Sequence, residues 1–340
     1  MLRVTAKDLK GFVSMPPTPC KPGAGGWDNP DSVDLPQSEK MFNLLVGSGV
    51  KVFALCGTTG ENAALLFDEK RNYVDTAVKT VKKRSIIFAG ATALGTKEVV
   101  RQMRAIRDLG AEGCFVGLPL WQTPTLKSSV QFYSDLSQAV PEMGIMVYSN
   151  QMFFKSDFTV DFWEGIGRSA PTVVTDKITH GTSHIADDIR VTHGQVNFVP
   201  GSLGILEADK KAPGKFNTCW STIYGPEPFV AFIDAFNRGD KKRADEIAAD
   251  IRTVTSSNRK PGPKAAEGYG EFSSRMLSEM AMYNAQVHKV EWNASGYLPG
   301  GVGPFRAPYT DFPEHLTKEE EEHGKHWMKL REKYVKVAAN

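Results

Sequence analysis

Eight short apolar segments, separated by amphipathic stretches, recur along the first two thirds of the chain. They are residues 11–15, 50–56, 86–90, 113–117, 144–148, 172–177, 196–199 and 216–220. The stretches between them, such as 68–78 and 96–106, have helical periodicity and begin with residues that cap helices well. This repeated alternation predicts an α/β fold of parallel strands closed into a (β/α)8 TIM barrel. A doubly wound open sheet is the alternative, but no GxGxxG motif follows an early segment.

The pattern changes after the eighth segment, and the remaining chain has the composition of helices and loops. Helices are predicted at 226–254, 271–292 and 317–337, and a Gly- and Pro-rich loop at 300–313. The Pro-, Gly- and Ser-rich composition of residues 256–263 predicts a link between the first two helices. We therefore expect a barrel over residues 1–240 and a C-terminal helical extension, residues 241–340, packed on it.

The charge balance argues against several classes of partner. The chain has 41 basic and 39 acidic residues and a net charge of +2, so it lacks the basic surface of a nucleic-acid-binding protein. No apolar run is long enough for a membrane span, and the N-terminus does not resemble a signal peptide. The four cysteines are widely separated, which favours reduced thiols over disulfides or a zinc site. We expect a cytoplasmic protein whose charged run 318–323 lies on a solvated helix face.

The sixth apolar segment ends in a lysine, Lys177. Side chains alternate along a strand, so Val173, Thr175 and Lys177 share one face. Burial disfavours a charged amine and lowers its pKa, which leaves a neutral nucleophile able to form a Schiff base with a ketone. The ordinary alternative is a lysine just past the strand with its ammonium in water.

Polar or aromatic residues also follow three other segments, at the barrel end where catalytic groups gather. Tyr148 and Asn150 share a face one strand from Lys177, where a phenol can transfer protons. The Gly57–Glu61 turn carries Thr58 and Thr59, whose hydroxyls and backbone N–H groups can bind a carboxylate. Trp121 follows the fourth segment and can form an aromatic wall. Each of these has a structural alternative: a core tyrosine, a turn without ligand and a packing tryptophan.

At these residues the chain resembles the family of dihydrodipicolinate synthase and N-acetylneuraminate lyase, over roughly residues 10–310. Its marks are the Gly57–Glu61 turn, Tyr148 and Lys177, in that order. The resemblance implies that Lys177 forms the Schiff base, that Tyr148 transfers protons and that Thr58 and Thr59 bind the pyruvate carboxylate. It also implies that no cofactor is needed and that the protein is a homo-oligomer, commonly a tetramer.

Within that family the chain is more similar to the hydratase-aldolases of aromatic degradation, which cleave benzylidenepyruvates. The similarity lies in the segments 118–121, 131–135, 148–150, 283–284 and 303–309, and in the long C-terminal extension. It implies that Asn150, Asn284 and Trp121 shape the pocket for the aryl group and the added water. Leu120-Trp121 stands where dihydrodipicolinate synthases have a tyrosine pair that relays protons, which argues against lysine biosynthesis.

The sequence therefore predicts a class I pyruvate aldolase, in particular a hydratase-aldolase that forms an aromatic aldehyde and pyruvate. A sugar-acid aldolase with the same lysine and a barrel that only binds a keto acid are the alternatives. A metal-dependent aldolase would need ligands such as the pair His180 and His184 or the pair His323 and His326. We expect the first pair on a helix surface and the second in the solvated tail, with no metal at the active site.

Overall fold

The computed structural model describes residues 1–179, 181, 183–255 and 282–335. Its eight strands are β1 (Gly11–Ser14), β2 (Val52–Leu55), β3 (Ile86–Gly90), β4 (Gly113–Val116), β5 (Gly144–Ser149), β6 (Val173–Ile178), β7 (Asn197–Val199) and β8 (Thr218–Ser221). All paired strands are parallel, in the order β7-β6-β5-β4-β3-β2-β1-β8. A parallel bridge between Gly201 and Trp220 links the two ends of this sheet. The predicted (β/α)8 TIM barrel is thus confirmed.

Helices alternate with the strands as the periodicity predicts. They are α1 (Leu35–Gly47), α2 (Phe67–Val81), α3 (Thr96–Leu109), α4 (Leu126–Ala139), α5 (Gln151–Phe154), α6 (Val160–Ser169), α7 (Ile185–Val191), α8 (Gly204–Lys211), α9 (Glu227–Asn237), α10 (Lys241–Thr255), α11 (Asn284–Ser295) and α12 (Glu314–Val335). The single helix predicted at 226–254 is two helices, because Gly239 between them adopts a left-handed φ of 74°. The predicted link at 256–263 lies outside the described residues, as does the first part of the predicted helix at 271–292.

The strands are short and nearly all their residues are buried on both faces. This is the pattern of a parallel sheet with helices outside and packed side chains inside. The pairing of β5 with β6 sets Tyr148 directly opposite Lys177. Neighbouring parallel strands therefore bring these two side chains to the same end of the barrel.

The chain divides into two compact units. One contains all eight strands and the helices α3 to α8, together with the last residues of α2. The other is formed by residues 16–49, 57–76 and 222–340, and includes α1 and the helices α9 to α12. The predicted division at residue 240 stays a prediction.

In the C-terminal helix α12, contrary to the prediction, the charged run 318–323 is not solvated along its whole length. Of the charged run 318–323, Lys318 and Glu319 are exposed as predicted, but Glu320 and His323 are buried. Their spacing continues in Trp327, which is also fully buried, so the three side chains share one face of the helix. The prediction that the whole run is solvated was therefore wrong, because helical periodicity outweighs the polar composition of the segment.

The structure also bears on the cysteines and on membrane-spanning helices. All four cysteines are buried and none forms a disulfide. Among the described residues, no helix has the length and apolar character required to cross a bilayer.

Candidate active site

Lys177 lies near the end of β6 with its side chain enclosed by aromatic rings. Its Nζ atom is 4.4 Å from the ring centre of Tyr148 and 3.8 Å from that of Trp220. The residue is buried, and this burial holds the pKa of Lys177 well below its usual value. The amine is therefore available in its neutral, nucleophilic form at much lower pH than an exposed lysine.

The neighbouring residue Asp176 does not reverse this effect. Alternation along β6 turns its side chain to the opposite face of the strand, where Ser149 Oγ donates a hydrogen bond to Oδ2 at 3.0 Å. Burial raises the pKa of the Asp176 carboxyl well above its usual range, which favours the uncharged acid. An uncharged Asp176 does not stabilise an ammonium on Lys177 as a carboxylate would.

Tyr148 is held in place by rings on two sides. Its ring stacks on Phe115 of β4 at a centroid distance of 4.8 Å and meets the edge of Phe154 at 5.2 Å. Asn150 Nδ2 donates to the phenol oxygen at 3.3 Å. Asn150 is itself fixed as the N-cap of α5, because its Oδ1 accepts from Phe153 N. The structure thus brings together the predicted residues Lys177, Tyr148 and Asn150.

Trp220 is the member of this cluster that sequence reasoning missed. It lies on β8, and its Nε1 donates to the Ile178 carbonyl at 2.9 Å, which anchors the indole beside Lys177. Residues 216–220 were correctly predicted as the eighth strand. The same search for side chains at strand ends would have found this tryptophan.

The predicted carboxylate-binding turn belongs to the other compact unit. Glu61 N donates to the Thr58 carbonyl and Asn62 N to the Gly57 carbonyl, both at 3.0 Å, which closes a tight double turn. The Thr59 hydroxyl donates to Asn284 Oδ1 at 3.3 Å, at the first residue of α11. The structure therefore joins Thr59 with Asn284, while Thr58 is half-buried in the same turn.

A buried ion network, which the sequence analysis also missed, supports this turn. Oε2 of Glu61 lies 2.7 Å from Lys289 Nζ and forms a close ion pair with Arg306. The guanidinium of Arg306 also donates to the carbonyls of Thr18 and Pro19, each at 2.9 Å. Glu61 has a left-handed φ of 56°, which is unusual for a residue with a side chain. The two cations hold this carboxylate in place and with it the backbone of the turn.

The other predicted residues have less definite places. Trp121 lies in the loop after β4 with 84% of its surface exposed, so its role as a pocket wall stays a prediction. His180 lies outside the described residues. His184 precedes α7 and its Nδ1 is 2.7 Å from Asp188 Oδ2, an interaction within one helical turn.

Comparison with known proteins now decides the family. The model of the "Dihydrodipicolinate synthetase family" matches residues 24–258. The chain belongs to this family. The match covers the Thr58-Thr59 turn, Tyr148 and Lys177, and so agrees with the resemblance read from those residues.

The more similar relatives extend over nearly the whole chain. A trans-O-hydroxybenzylidenepyruvate hydratase-aldolase from Pseudomonas aeruginosa is 35% identical over 98% of this chain and 96% of its own. A trans-2'-carboxybenzalpyruvate hydratase-aldolase from Nocardioides sp. is 31% identical over 99% and 98%. The solved structure of PhdJ bound to a substrate intermediate has a TM-score of 0.88 at 28% identity, and covers 98% of this chain and 100% of its own.

Replacing Glu61 with glutamine tests the ion network. The substitution keeps the shape of the side chain but leaves two buried cations without their anion, so we expect a loss of about 3–5 kcal/mol in the free energy of unfolding. Denaturant unfolding measures this loss. Glu314→Gln is the control, since it breaks an exposed ion pair with Lys318 and should cost less than about 1 kcal/mol. Equal effects in the two variants would contradict the role given to Glu61.

Proposed function

We propose that this protein is a class I hydratase-aldolase that converts a substituted benzylidenepyruvate into an aromatic aldehyde and pyruvate. The observation that carries the proposal is the buried amine of Lys177, whose pKa is lowered beside the phenol of Tyr148. Similarity to hydratase-aldolases over nearly the whole chain supports the same reaction class.

The reaction begins with the Lys177 amine, which attacks the ketone carbon of the substrate. Loss of water gives a protonated imine, and this electron sink activates the conjugated double bond. Water then adds to the carbon that bears the ring and loses a proton to solvent, while the Tyr148 phenol protonates the neighbouring carbon and becomes a phenolate. Tyr148 accepts the proton of the new hydroxyl while the carbon–carbon bond breaks and its electron pair moves to the imine. The aldehyde leaves, the enamine is protonated, and hydrolysis releases pyruvate and the free lysine.

The surroundings of Lys177 favour an aryl substrate over a sugar acid. The side chains next to the amine and the phenol are the rings of Trp220, Phe115 and Phe154. Such rings pack well against a flat aromatic group, whereas a sugar acid needs several hydrogen-bonding partners for its hydroxyls. The amide of Asn150, which already points at the phenol oxygen, is suited to orient the added water.

The remaining assignments rest on the family resemblance. We assign the substrate carboxylate to Thr58 and Thr59, and a part in the aryl pocket to Asn284 and Trp121. No cofactor takes part at the reacting atoms, since the lysine itself is the electron sink. We also propose a homotetramer, for which light scattering should give four times the chain mass of 37.4 kDa.

Reductive trapping tests the Schiff base directly. Incubation with pyruvate and borohydride should attach a reduced pyruvyl group to one peptide, the peptide that contains Lys177, and Lys177→Met should abolish the adduct. Lys127→Met, at an exposed lysine, should leave it unchanged. Lys289 is an internal control, because burial lowers its pKa as well and so favours a neutral amine. Pairing with Glu61 opposes that change in pKa. An adduct on Lys289, or none at all, would contradict the assignment.

Tyr148→Phe separates imine formation from carbon–carbon cleavage. The variant keeps the ring but loses the proton acceptor, so turnover of a benzylidenepyruvate should fall about 10²–10⁴-fold. Trapping with pyruvate should still label Lys177, which shows that the variant is folded. Tyr133→Phe is the matched control, since that buried phenol donates to the Val116 carbonyl at 3.0 Å. Unchanged turnover in Tyr148→Phe would exclude it as the proton acceptor.

The pH dependence of the reaction follows from the lowered pKa of Lys177. Only the neutral amine attacks, so kcat/KM should rise with pH until Lys177 is deprotonated, at a pH well below the usual lysine value. Trp220→Gln replaces the ring beside Lys177 with a polar side chain and lets water reach the amine, which favours the ammonium form. The pH at which kcat/KM rises should therefore increase by about one unit. Trp27→Gln, at a tryptophan 91% exposed, should not move it. A rise that stays in place or moves lower in Trp220→Gln would contradict the argument.

A further inference from the structure

Helices α11 and α12 bury a cluster of histidine and glutamate side chains in the compact unit that does not contain Lys177. Helix α11 carries His288 and Glu291, and helix α12 carries Glu320 and His323. A spacing of three residues places each pair on one face of its helix. All four side chains are buried, and both helices belong to the same compact unit.

Three of these residues converge on one point. One carboxylate oxygen of Glu291, one of Glu320 and one ring nitrogen of His323 lie within 4.8 Å of one another. Nδ1 of His323 is 2.8 Å from Glu291 Oε1. The contact does not have the geometry of a hydrogen bond, and Nδ1 has no hydrogen-bond partner among the described residues. A buried ring nitrogen and a buried carboxylate oxygen therefore face each other inside the cluster, in an ion-pair contact that lacks hydrogen-bond geometry.

A second layer orients the central carboxylate. Nδ1 of His288 is 3.0 Å from the other oxygen of Glu291, and Nε2 of His288 is 3.1 Å from the Thr222 hydroxyl. The helices approach closely at this point, since a Cβ atom on Gly324 would lie 3.3 Å from the Glu291 carbonyl oxygen. Outer partners of this kind, which fix the direction of a ligand, are a regular feature of protein metal sites.

The donor set matches a divalent cation of the zinc type. Two carboxylate groups and one imidazole nitrogen are ligand types that zinc accepts in proteins. Imidazole nitrogen and carboxylate oxygen bind Zn²⁺ at about 2.0–2.2 Å, so tetrahedral ligand atoms stand about 3.3 Å apart. The three donor atoms lie within 4.8 Å of one another, so their side chains would rotate closer together to reach that spacing.

We propose that Glu291, Glu320 and His323 bind a zinc-type divalent cation, with water as the fourth ligand, and that this ion joins α12 to α11. Its role is structural. Helix α11 also carries Asn284, which contacts Thr59, and Lys289, which pairs with Glu61, so the ion braces the helix behind the threonine turn. The proposal does not depend on the Schiff-base chemistry, since none of its ligands takes part in that reaction.

Zinc titration of the full chain, purified without a histidine tag and stripped with a chelator, tests the site. We expect one Zn²⁺ per chain by calorimetry. At zinc concentrations about 100-fold above Kd, the melting temperature should rise by about 3 °C or more. Co²⁺ should give the visible absorption of a four-coordinate ion. A stripped wild-type protein that responds to neither metal overturns the proposal.

Matched variants locate the site. Glu320→Gln and His323→Gln should each weaken Zn²⁺ binding at least about 10-fold and remove the rise in melting temperature. Glu319→Gln and His326→Gln change exposed neighbours on the same helix and should leave both unchanged. Circular dichroism in chelator checks that each variant is folded, and a ligand variant that loses its helix is replaced by Glu291→Gln. A zinc response that survives in the folded ligand variants places the ion elsewhere and overturns the assignment.

Discussion

The removal of water from one amine is the constraint on which the site depends. In the proposed reaction Lys177 acts as a nucleophile only while its ammonium form is unfavourable, and three features of the barrel disfavour that form. The strand places the side chain inside, aromatic rings replace its water, and alternation turns Asp176 to the other face. Burial is the largest cause of the lowered pKa of Lys177, so the amine depends on groups other than the lysine itself.

In the second compact unit, by contrast, a buried side chain is kept in its charged form. There a buried charge is kept, not removed, because Glu61 is surrounded by Lys289, Arg306 and the backbone groups that Arg306 binds. Burying charges is costly unless each is paired and hydrogen-bonded, and this network meets both conditions. Its members come from the turn, from helix α11 and from the 300–313 loop. One ion network therefore sets the relative positions of the Gly57–Glu61 turn, helix α11 and the 300–313 loop.

Much of the fold was predictable, because the signals are local. Each strand is a short apolar run, each helix a periodic one, and eight repeats leave few architectures open. The positions of Lys177 and Tyr148 were predictable for the same reason, since both lie where a strand ends, while their roles stay a proposal. Trp220 obeys the same rule and was missed only because the search stopped at four strand ends.

The rest depends on contacts between distant segments, for which the sequence carries no local signal. Glu61 and Arg306 are separated by 245 residues, and nothing near either position shows that they form a pair. The charged run 318–323 shows a different difficulty. Its composition is that of a solvated surface, yet Glu320 and His323 are spaced like the buried Trp327 and lie on its face. Composition describes a helix as a whole, whereas only one face of the helix is buried. The average composition of the run 318–323 therefore did not reveal that Glu320 and His323 lie on the buried face.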